Sequence, residues 1–314
     1  MDQIPASTVM QKCSLCPRNC RANRENAAAG YCGETAVVRV ARISLHMWEE
    51  PCISGKNGSG TIFFSGCPLR CVFCQNKSIA LGNKGEALTS EELCRAFLLL
   101  QEKNAENINL VTPTHFVPQI AKAIEAAKAR GLRLPIVYNT ASYERVETLK
   151  MLDGLVDIYL PDLKYQSDAV SLRYSNAPDY FEYAADAITE MVRQTKNPVF
   201  EKGLMKRGTI VRHMVLPGHT KDSNNIIRYL YETFRDTIYI SIMNQYTPPQ
   251  DIEARGFSEL SRKVTKREYE KVINEALRLG VVNAFIQEGE TASESFIPDF
   301  DDMALLTEIR KKRS

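Results

Sequence analysis

The sequence predicts an α/β fold built on a parallel sheet or barrel, preceded by a small cysteine-rich extension at the N terminus. From about residue 61 onward, short β-like runs alternate with amphipathic helical stretches, which is the pattern of parallel α/β proteins. All nine cysteines lie within the first 94 residues, and the rest of the 314-residue chain contains none. The composition, 44% hydrophobic and 25% charged, is that of an ordinary globular protein.

Three parts of the chain follow from this distribution. We expect the cysteine-rich extension at residues 1–60, where the α/β alternation is absent. The α/β core is expected at residues 61–290, and a helical tail at residues 291–314. Because glycine and small polar residues favour turns and loops, Asn57-Gly58-Ser59-Gly60 predicts a flexible join between the extension and the core.

Within the core, β-branched and aromatic runs predict strands, and apolar residues at helical spacing predict the helices between them. Thr89 and Glu92 form a capping-box pattern ahead of a helix whose apolar face includes Cys94, which makes Cys94 a core residue. The next helix begins near Pro118 and ends at Gly131. The seven predicted strands are residues 61–64, 108–111, 136–138, 156–160, 209–216, 238–243 and 284–286.

Polar residues follow six of these strands. In parallel α/β folds the ligand lies at the carboxyl ends of the strands, where the loops converge. Six polar strand ends on one rim therefore predict a ligand site there. These ends are Ser65-Gly66-Cys67, Thr112-Pro113-Thr114-His115, Asn139-Thr140, Pro161-Asp162-Leu163-Lys164, Pro217-Gly218-His219 and Asn244-Gln245-Tyr246.

The loop after the first core strand carries Cys67, Cys71 and Cys74 in a C-x-x-x-C-x-x-C arrangement. Three thiolates on one tight loop can hold three corners of a [4Fe-4S] cluster and leave the fourth iron open, whereas a fully ligated cluster needs four cysteines. The alternatives are a zinc site with an open fourth position, a full cluster completed by Cys52 or Cys94, and inert core cysteines.

The stretch from Gly66 to Asn76 resembles the signature of the radical SAM superfamily, and most closely that of the branch around pyruvate formate-lyase activating enzyme. The resemblance covers roughly residues 61–290. It implies a partial (βα) barrel in which Cys67, Cys71 and Cys74 bind a [4Fe-4S] cluster together with S-adenosylmethionine (SAM). Reductive cleavage of SAM would then give a 5′-deoxyadenosyl radical that abstracts hydrogen from a substrate.

The same resemblance implies an oxidoreductase of the activating-enzyme kind. Its substrate would be a glycine in a partner protein, a peptide or a small molecule, and its electron would come from a reductant protein such as flavodoxin or ferredoxin. A hypothesis from another class is a non-catalytic iron–sulfur or zinc protein that carries electrons or acts as a scaffold. The missing fourth cysteine discriminates between the two, because a carrier needs a closed cluster.

The resemblance also implies residues that contact SAM. The backbone of Phe73 corresponds to the position that meets the adenine. Asp162 and Lys164 lie in a motif similar to the family's D-I-K strand end, and they supply complementary charges for the ammonium and carboxylate of SAM. Val215 to Gly218 resembles the family's V-x-P-G turn. Tyr246 ends the strand that approaches the adenosine, and Asn139 is the polar end of another core strand.

One family motif is replaced in this chain. The usual G-G-E-P of the second strand, which binds the SAM amino group, is here Val111-Thr112-Pro113-Thr114-His115. The hydroxyls of Thr112 and Thr114 can still accept hydrogen bonds from an ammonium. We therefore expect both threonines in the SAM site.

The N-terminal extension contains four closely spaced thiols, Cys13, Cys16, Cys20 and Cys32, in a C-x2-C-x3-C-x11-C arrangement. Four such thiols can close a tetrahedral zinc site and order a segment that has little apolar content of its own. Zinc is the first interpretation and an auxiliary iron–sulfur cluster is the second, because both use the same ligands. Cys52 is interpreted as a packed cysteine.

The net charge and the hydropathy of the chain argue against nucleic acid and membranes as partners. Forty Lys and Arg residues against 38 Asp and Glu residues give a net charge of +2, so no global field attracts nucleic acid or an anionic membrane. The longest apolar run, residues 96–100, is far shorter than the roughly 18 residues of a spanning helix. The first residues lack the basic start and apolar stretch of a secretory signal, so a cytoplasmic location is expected.

Overall fold

The computed structural model describes residues 6–287, 299–302 and 304–311, and it has the α/β fold that the sequence predicts. Within these ranges ten strands form one mixed sheet. The strands are β1 (Val38–His46), β2 (Ser59–Phe64), β3 (Glu86–Leu88), β4 (Ile108–Val111), β5 (Ile136–Thr140), β6 (Ile158–Pro161), β7 (Val199–Glu201), β8 (Leu204–Met214), β9 (Tyr239–Met243) and β10 (Ala284–Ile286).

Helices connect these strands and cover the sheet. They are α1 (Ala6–Gln11), α2 (Pro51–Ser54), α3 (Lys77–Ala80), α4 (Ser90–Glu102), α5 (Val117–Ala129), α6 (Val146–Leu149), α7 (Asp168–Ser175), α8 (Tyr180–Thr195), α9 (Thr220–Phe234), α10 (Lys266–Leu279) and α11 (Ala304–Lys311). None of the helices in the described ranges is long and apolar enough to span a membrane. The predicted tail at residues 291–314 falls partly outside the described residues, and α11 belongs to its described part.

The sheet order is β10-β9-β8-β6-β5-β4-β2-β1-β3, with β7 paired to β8. The seven strands from β2 to β10 that the sequence predicts run parallel to one another. β1 and β3 continue the sheet in antiparallel fashion at one end. In the described part of the chain β10 and β3 remain unpaired with each other, so the arrangement is an open, partial barrel.

Two sequence predictions about the extension need correction. The join predicted at residues 57–60 is wrong at its second half, because Ser59 and Gly60 begin β2 and are buried. The backbone N–H of Gly60 donates to the carbonyl of Asn107 at 3.0 Å, and a Cβ at this position would lie 2.7 Å from that oxygen, so close strand packing explains the glycine. β1, from the predicted extension, is also part of the sheet. The division of the chain into three parts stays a prediction.

The outer face of the sheet carries the largest core cluster. Helices α4 and α5 pack there, and the α4 capping box forms as predicted, with Thr89 Oγ1 accepting from the Glu92 N–H at 3.2 Å. Cys94 is fully buried in this cluster, as the sequence predicts. Because side chains alternate across a strand, the other face of the same strands is left for the interior.

The connection between β1 and β2 packs against the inner face of the sheet, at the end opposite the carboxyl ends of the parallel strands. Cys52 and Ile53 of α2 pack against Val137, Leu160 and Ile210, which belong to β5, β6 and β8. Two residues farther along each of these strands, on the same inner face, the side chains are polar. The apolar plug under α2 thus forms the base of a polar chamber.

Candidate functional site

A cavity of about 430 Å³ lies at the carboxyl ends of the parallel strands, where the sequence predicts the ligand site. Its wall combines the loop after β2, the ends of β4, β5, β6, β8, β9 and β10, and the segment that precedes α2. All parts of the parallel sheet therefore contribute to one chamber.

The three-cysteine loop forms one side of this cavity, since Cys67, Cys71 and Cys74 all line it. Their thiols are free. Gly66 starts the loop with a φ of 84°, and a Cβ on it would lie 2.7 Å from the carbonyl oxygen of Cys32. The loop therefore requires glycine at this position, both for its left-handed backbone and for its close contact with the extension.

Burial and neighbouring charges set the protonation of these thiols. Burial raises the pKa of Cys67 to about 11 and that of Cys74 to about 12, and the adjacent thiol groups act in the same direction. The Lys164 ammonium opposes this effect at both thiols. Ser175 Oγ donates to Cys71 Sγ at 3.1 Å. Because a metal binds the thiolate form, loading of this loop would release protons.

The donor set of the loop fits an iron–sulfur cluster with one open iron. Of the nine cysteines, all of which the structure describes, only the three loop cysteines line the cavity. Cys52 is packed in the base below it and Cys94 in the outer core. Across residues 6–287 and the described tail, no three His, Cys, Asp or Glu side chains are arranged to hold a single metal ion. The ligand assignment stays a prediction.

A buried network of charges lies on the strand ends across the cavity. Arg212 of β8 donates from Nε to Asp162 Oδ1 at 2.8 Å, from Nη1 to Glu49 Oε2 at 3.0 Å and from Nη2 to Asn139 Oδ1 at 2.6 Å. Lys164 Nζ donates to the other Asp162 oxygen at 2.7 Å. Asp162 and Lys164, with side chains only 16% and 17% exposed, are therefore largely buried partners in the cavity wall.

The network fixes the charge states of its members. Although burial alone would raise the pKa of Asp162, the Arg212 and Lys164 charges hold it below its ordinary value. Burial likewise opposes the charge on Lys164, but Asp162 and the Cys71 thiol raise the pKa of this ammonium. The cavity thus contains a permanent cation near the cysteine loop and a carboxylate that orients it.

The structure brings five of the seven predicted SAM contacts to the cavity: Phe73, Thr112, Asn139, Asp162 and Lys164. Thr112 has a φ of 58°, which is rare for a β-branched residue. Such strain persists where the surroundings fix the backbone, and here the Thr112 N–H donates to the Asn139 carbonyl at 2.9 Å.

The other two predicted contacts, Thr114 and Tyr246, do not line the cavity. Thr114 is buried and its hydroxyl donates to Glu144 Oε1 at 2.6 Å. The Tyr246 hydroxyl donates to the Leu260 carbonyl at 2.6 Å, and its ring packs edge-on against Phe73 at 6.0 Å. Their side chains support neighbouring residues instead of facing a ligand.

Three histidines near strand ends are held in place by hydrogen bonds. His115 Nε2 bonds to the Ser65 carbonyl, His213 bonds through both ring nitrogens, and His219 Nε2 bonds to Tyr174 OH at 2.8 Å. Burial lowers the pKa of His115 to about 3, so its ring is neutral.

Sequence reasoning missed three charged residues of the cavity: Glu49, Glu50 and Arg212. Arg212 carried a signal, because it is a charged residue that directly follows the apolar pair Ile210-Val211 inside a predicted strand. The two glutamates lie in the segment before α2, where the sequence shows no periodic pattern. The position of Glu49 depends on contacts with strands more than 50 residues away in the chain.

The four cysteines of the extension include one that touches the cavity loop, because the Cys32 carbonyl accepts a hydrogen bond from the Cys67 N–H at 3.3 Å. Cys13, Cys16 and Cys32 are buried and Cys20 is exposed. Gly30 leaves a gap beside two of the sulfurs, because a Cβ there would lie 3.3 Å from Cys32 Sγ and 3.4 Å from Cys20 Sγ. Burial raises the pKa of Cys16 and Cys32, and the nearby Cys13 thiol adds to this effect at both.

Arg18, which lies between two of these cysteines, connects the extension to the cavity loop. Its guanidinium group lies 4.2 Å from the centre of the Tyr31 ring and 5.1 Å from that of Tyr143. It donates from Nε to the Pro68 carbonyl at 2.8 Å and from Nη2 to the Ser175 carbonyl at 2.7 Å. The extension therefore holds the backbone of the cysteine loop in place.

Comparisons with known proteins agree with this geometry. The sequence model of the radical SAM superfamily matches residues 61–230. An uncharacterized protein of Methanocaldococcus jannaschii is 27% identical over 279 residues, which cover 85% of this chain and 75% of that protein.

Solved structures similar to the chain include HydG, a maturase of the [FeFe]-hydrogenase, with a TM-score of 0.49 and 15% identity over 71% of this chain and 50% of that one. Another is Streptococcus suis SuiB bound to S-adenosylmethionine, with a TM-score of 0.49 and 12% identity over 71% of this chain and 48% of that one. The chain thus spans about half the length of these two proteins.

Proposed function

Because the chain belongs to the radical SAM superfamily, we propose that it is an enzyme that binds a [4Fe-4S] cluster and SAM in the cavity at its strand ends. When bound, the cluster and SAM together supply a 5′-deoxyadenosyl radical that abstracts hydrogen from the substrate. The substrate, the reductant and the metal of the extension are proposals considered below.

One observation carries this proposal: three free thiols face a polar cavity that no fourth cysteine reaches. An electron carrier or a scaffold needs a fourth protein ligand to close its cluster. Cys52 and Cys94 were the candidates for that ligand, and both are packed in apolar surroundings away from the cavity. The open position therefore favours the enzyme over the non-catalytic alternative.

The chain's own residues would bind and orient these groups. The loop cysteines hold three irons, and the Phe73 ring fixes their loop by packing against Tyr165, Tyr174 and Tyr246. The Lys164 ammonium is the cation available to a carboxylate near the cysteines, and Asp162 holds it there. Thr112 and Asn139 present polar groups from neighbouring strand ends.

We further propose an oxidoreductase of the activating-enzyme kind, with flavodoxin or ferredoxin as its reductant. The support is the loop sequence from Gly66 to Asn76, which resembles that branch most. A glycine in a partner protein, a peptide or a small molecule remains the proposed substrate. All nine cysteines are free thiols, which agrees with a reducing compartment such as the cytoplasm.

The extension is proposed to bind a second metal through Cys13, Cys16, Cys20 and Cys32. Gly30 leaves room beside Cys20 and Cys32, and Cys13 is close enough to raise the pKa of both Cys16 and Cys32. Since no three of these thiols are arranged to hold a single ion in the described residues, metal binding would have to draw them together. Zinc is the first proposal and an auxiliary iron–sulfur cluster the second. Arg18 gives this metal a structural role, because it ties the extension to the loop of the SAM site.

Anaerobic reconstitution with iron and sulfide tests the enzyme proposal. We expect about four irons for the cavity loop and an EPR signal of the reduced protein that changes when SAM is added. Cys71→Ala should lose this cluster, whereas Cys94→Ala, a matched change in the outer core, should retain it. A fully loaded cluster whose EPR signal does not change when SAM is added would contradict the proposal. The same metal analysis identifies the metal of the extension: about one zinc indicates a zinc site, and about four further irons indicate an auxiliary cluster.

A further inference from the structure

One member of the Arg212 network, Glu49, has a second acidic residue, Glu50, next to it in the chain. Glu49 and Glu50 precede α2 and line the cavity, where they form its floor above the apolar plug. Glu49 accepts hydrogen bonds from Asn109, Asn139 and Arg212. Glu50 is only 9% exposed, and its Oε2 has no hydrogen-bond partner among the residues that the structure describes.

Charge is not balanced on this side of the cavity. Three carboxyl groups, those of Glu49, Glu50 and Asp162, face two cations, Arg212 and Lys164. The two cations form their ion pairs with Asp162 and Glu49. Within the described ranges Glu50 forms no ion pair, and its carboxylate accepts a hydrogen bond from the Ser241 hydroxyl. One carboxyl group therefore lacks a cation.

Burial raises the pKa of Glu50, and the neighbouring Glu49 adds to this effect, while the Arg212 charge opposes it. A buried carboxylate without a cationic partner is unstable and tends to take up a proton. An entering cation would remove this penalty by keeping the group ionised. Rotation about the terminal torsion of a glutamate is soft, so either oxygen can face the cavity.

We propose that Glu50 binds a cationic group of the substrate, a protonated amine or a guanidinium, on the cavity floor. This inference rests on the proposed function, since it assigns a substrate class to the same cavity. It predicts a substrate with a positive charge at the end that enters the cavity. The reacting carbon is then farther from the charge, toward the cysteine loop.

The cavity also provides a route for such a substrate. Trp48 lines the cavity near Glu50 and is 56% exposed. Ile286 of β10 lines it too and is also exposed. Trp48 lies two residues after the end of β1 and Ile286 ends β10, so exposed side chains from both sides of the sheet mark the opening of the cavity toward solvent. An indole at the entrance suits a passing cation, because cations are attracted to the face of an aromatic ring.

Trp48 is the one tryptophan of the sequence, which makes its fluorescence a direct reporter of binding. The test uses the anaerobically reconstituted protein with saturating SAM and no reductant, so that no turnover occurs. Butylguanidine is the cationic probe, and butylurea is a neutral probe of the same shape. We expect a saturable fluorescence change with butylguanidine, and at least tenfold weaker binding of butylurea.

Two variants locate the binding group. Glu50→Gln keeps the shape and removes the charge, and it should weaken butylguanidine binding at least tenfold. Glu91→Gln is the matched control, because Glu91 is an exposed carboxylate on α4 that pairs with Arg130. It should bind the probe as the unmodified protein does. Circular dichroism confirms that both variants are folded.

The outcomes separate this inference from the proposed function. Equal binding of both probes, or unchanged binding in Glu50→Gln, would overturn the inference. It would also fail if SAM displaced the probe and Glu50→Gln weakened SAM binding tenfold, since the floor would then hold SAM itself. SAM cleavage by the unmodified protein is measured in parallel. Cleavage without cation binding refutes only the inference, whereas cation binding without cleavage refutes the proposed function.

Discussion

Replacing Arg212 by methionine should destabilise the protein far more than replacing an arginine with a similar set of partners on the surface. Arg212 is 11% exposed in its side chain and forms ion pairs with Asp162 and Glu49. Arg193 also forms two ion pairs, with Asp153 and Glu190, but its side chain is 53% exposed. The two substitutions therefore differ mainly in burial.

The magnitude follows from what each substitution leaves behind. Removing one partner of a buried ion pair costs about 3–5 kcal/mol, because a buried charge is left uncompensated. In Arg212→Met, Asp162 keeps Lys164, and Glu49 keeps two amide donors at 2.9 and 3.1 Å. We therefore expect the lower end of that range, about 3 kcal/mol. Arg193→Met should cost less than about 1 kcal/mol, as exposed pairs do.

Urea unfolding followed by circular dichroism measures both free energies of unfolding. A difference of less than about 1 kcal/mol between Arg212→Met and Arg193→Met would refute the buried-network reasoning. The double variant Glu49→Gln/Arg212→Met adds a second check. Since the uncompensated charge is then removed, its loss of stability should be smaller than the sum of the two single losses.

Three further predictions concern other parts of the chain. Burial raises the pKa of Glu144 from 4.5 to about 7, so the stability that its protonated form gives at low pH is lost as the pH rises through 7. This loss is about 3 kcal/mol and develops between the two pKa values, so Glu144→Gln should flatten the pH dependence of stability between about pH 4.5 and about pH 7. Arg18→Ala should speed the loss of the loop's cluster to a chelator several-fold, measured by its visible absorbance. Thr89→Ala should destabilise the protein by about 1 kcal/mol through loss of the α4 cap, measured by urea unfolding.

Each of these predictions has a control and a contrary result. An unchanged pH profile in Glu144→Gln would show that this carboxyl group does not titrate near neutrality. Arg133→Ala changes an exposed arginine of the loop before β5, and equal cluster loss in it and in Arg18→Ala would contradict the role of Arg18. Ser90→Ala, next to the cap, should change the stability by less than about 0.5 kcal/mol.

The parallel core was predictable because its signals are local. The strands predicted at residues 108–111 and 284–286 coincide with β4 and β10, and the others overlap their counterparts. β1 was missed because Arg39 and Arg42 interrupt its apolar pattern in a region dominated by cysteines. β7 was missed because its three residues are all exposed, so no buried face marks it.

The cysteine loop could be recognised because its three cysteines lie within eight residues. The charged network could not, since Glu49 and Arg212 meet across 163 residues of chain. Thr114 illustrates the opposite error. Its position in the sequence indicates a ligand contact, but its hydroxyl donates a hydrogen bond to the buried carboxyl group of Glu144 instead. Tertiary packing decides whether the Thr114 hydroxyl faces a ligand or Glu144, and the local sequence does not.

Reductive cleavage of SAM tests the central claim most directly. The reconstituted protein is reduced anaerobically with SAM, and 5′-deoxyadenosine is quantified beside the variants Cys71→Ala and Cys94→Ala. The account predicts 5′-deoxyadenosine from the unmodified protein and from Cys94→Ala, and none from Cys71→Ala. A protein with a fully loaded cluster that forms no 5′-deoxyadenosine, or equal formation in Cys71→Ala, would contradict it.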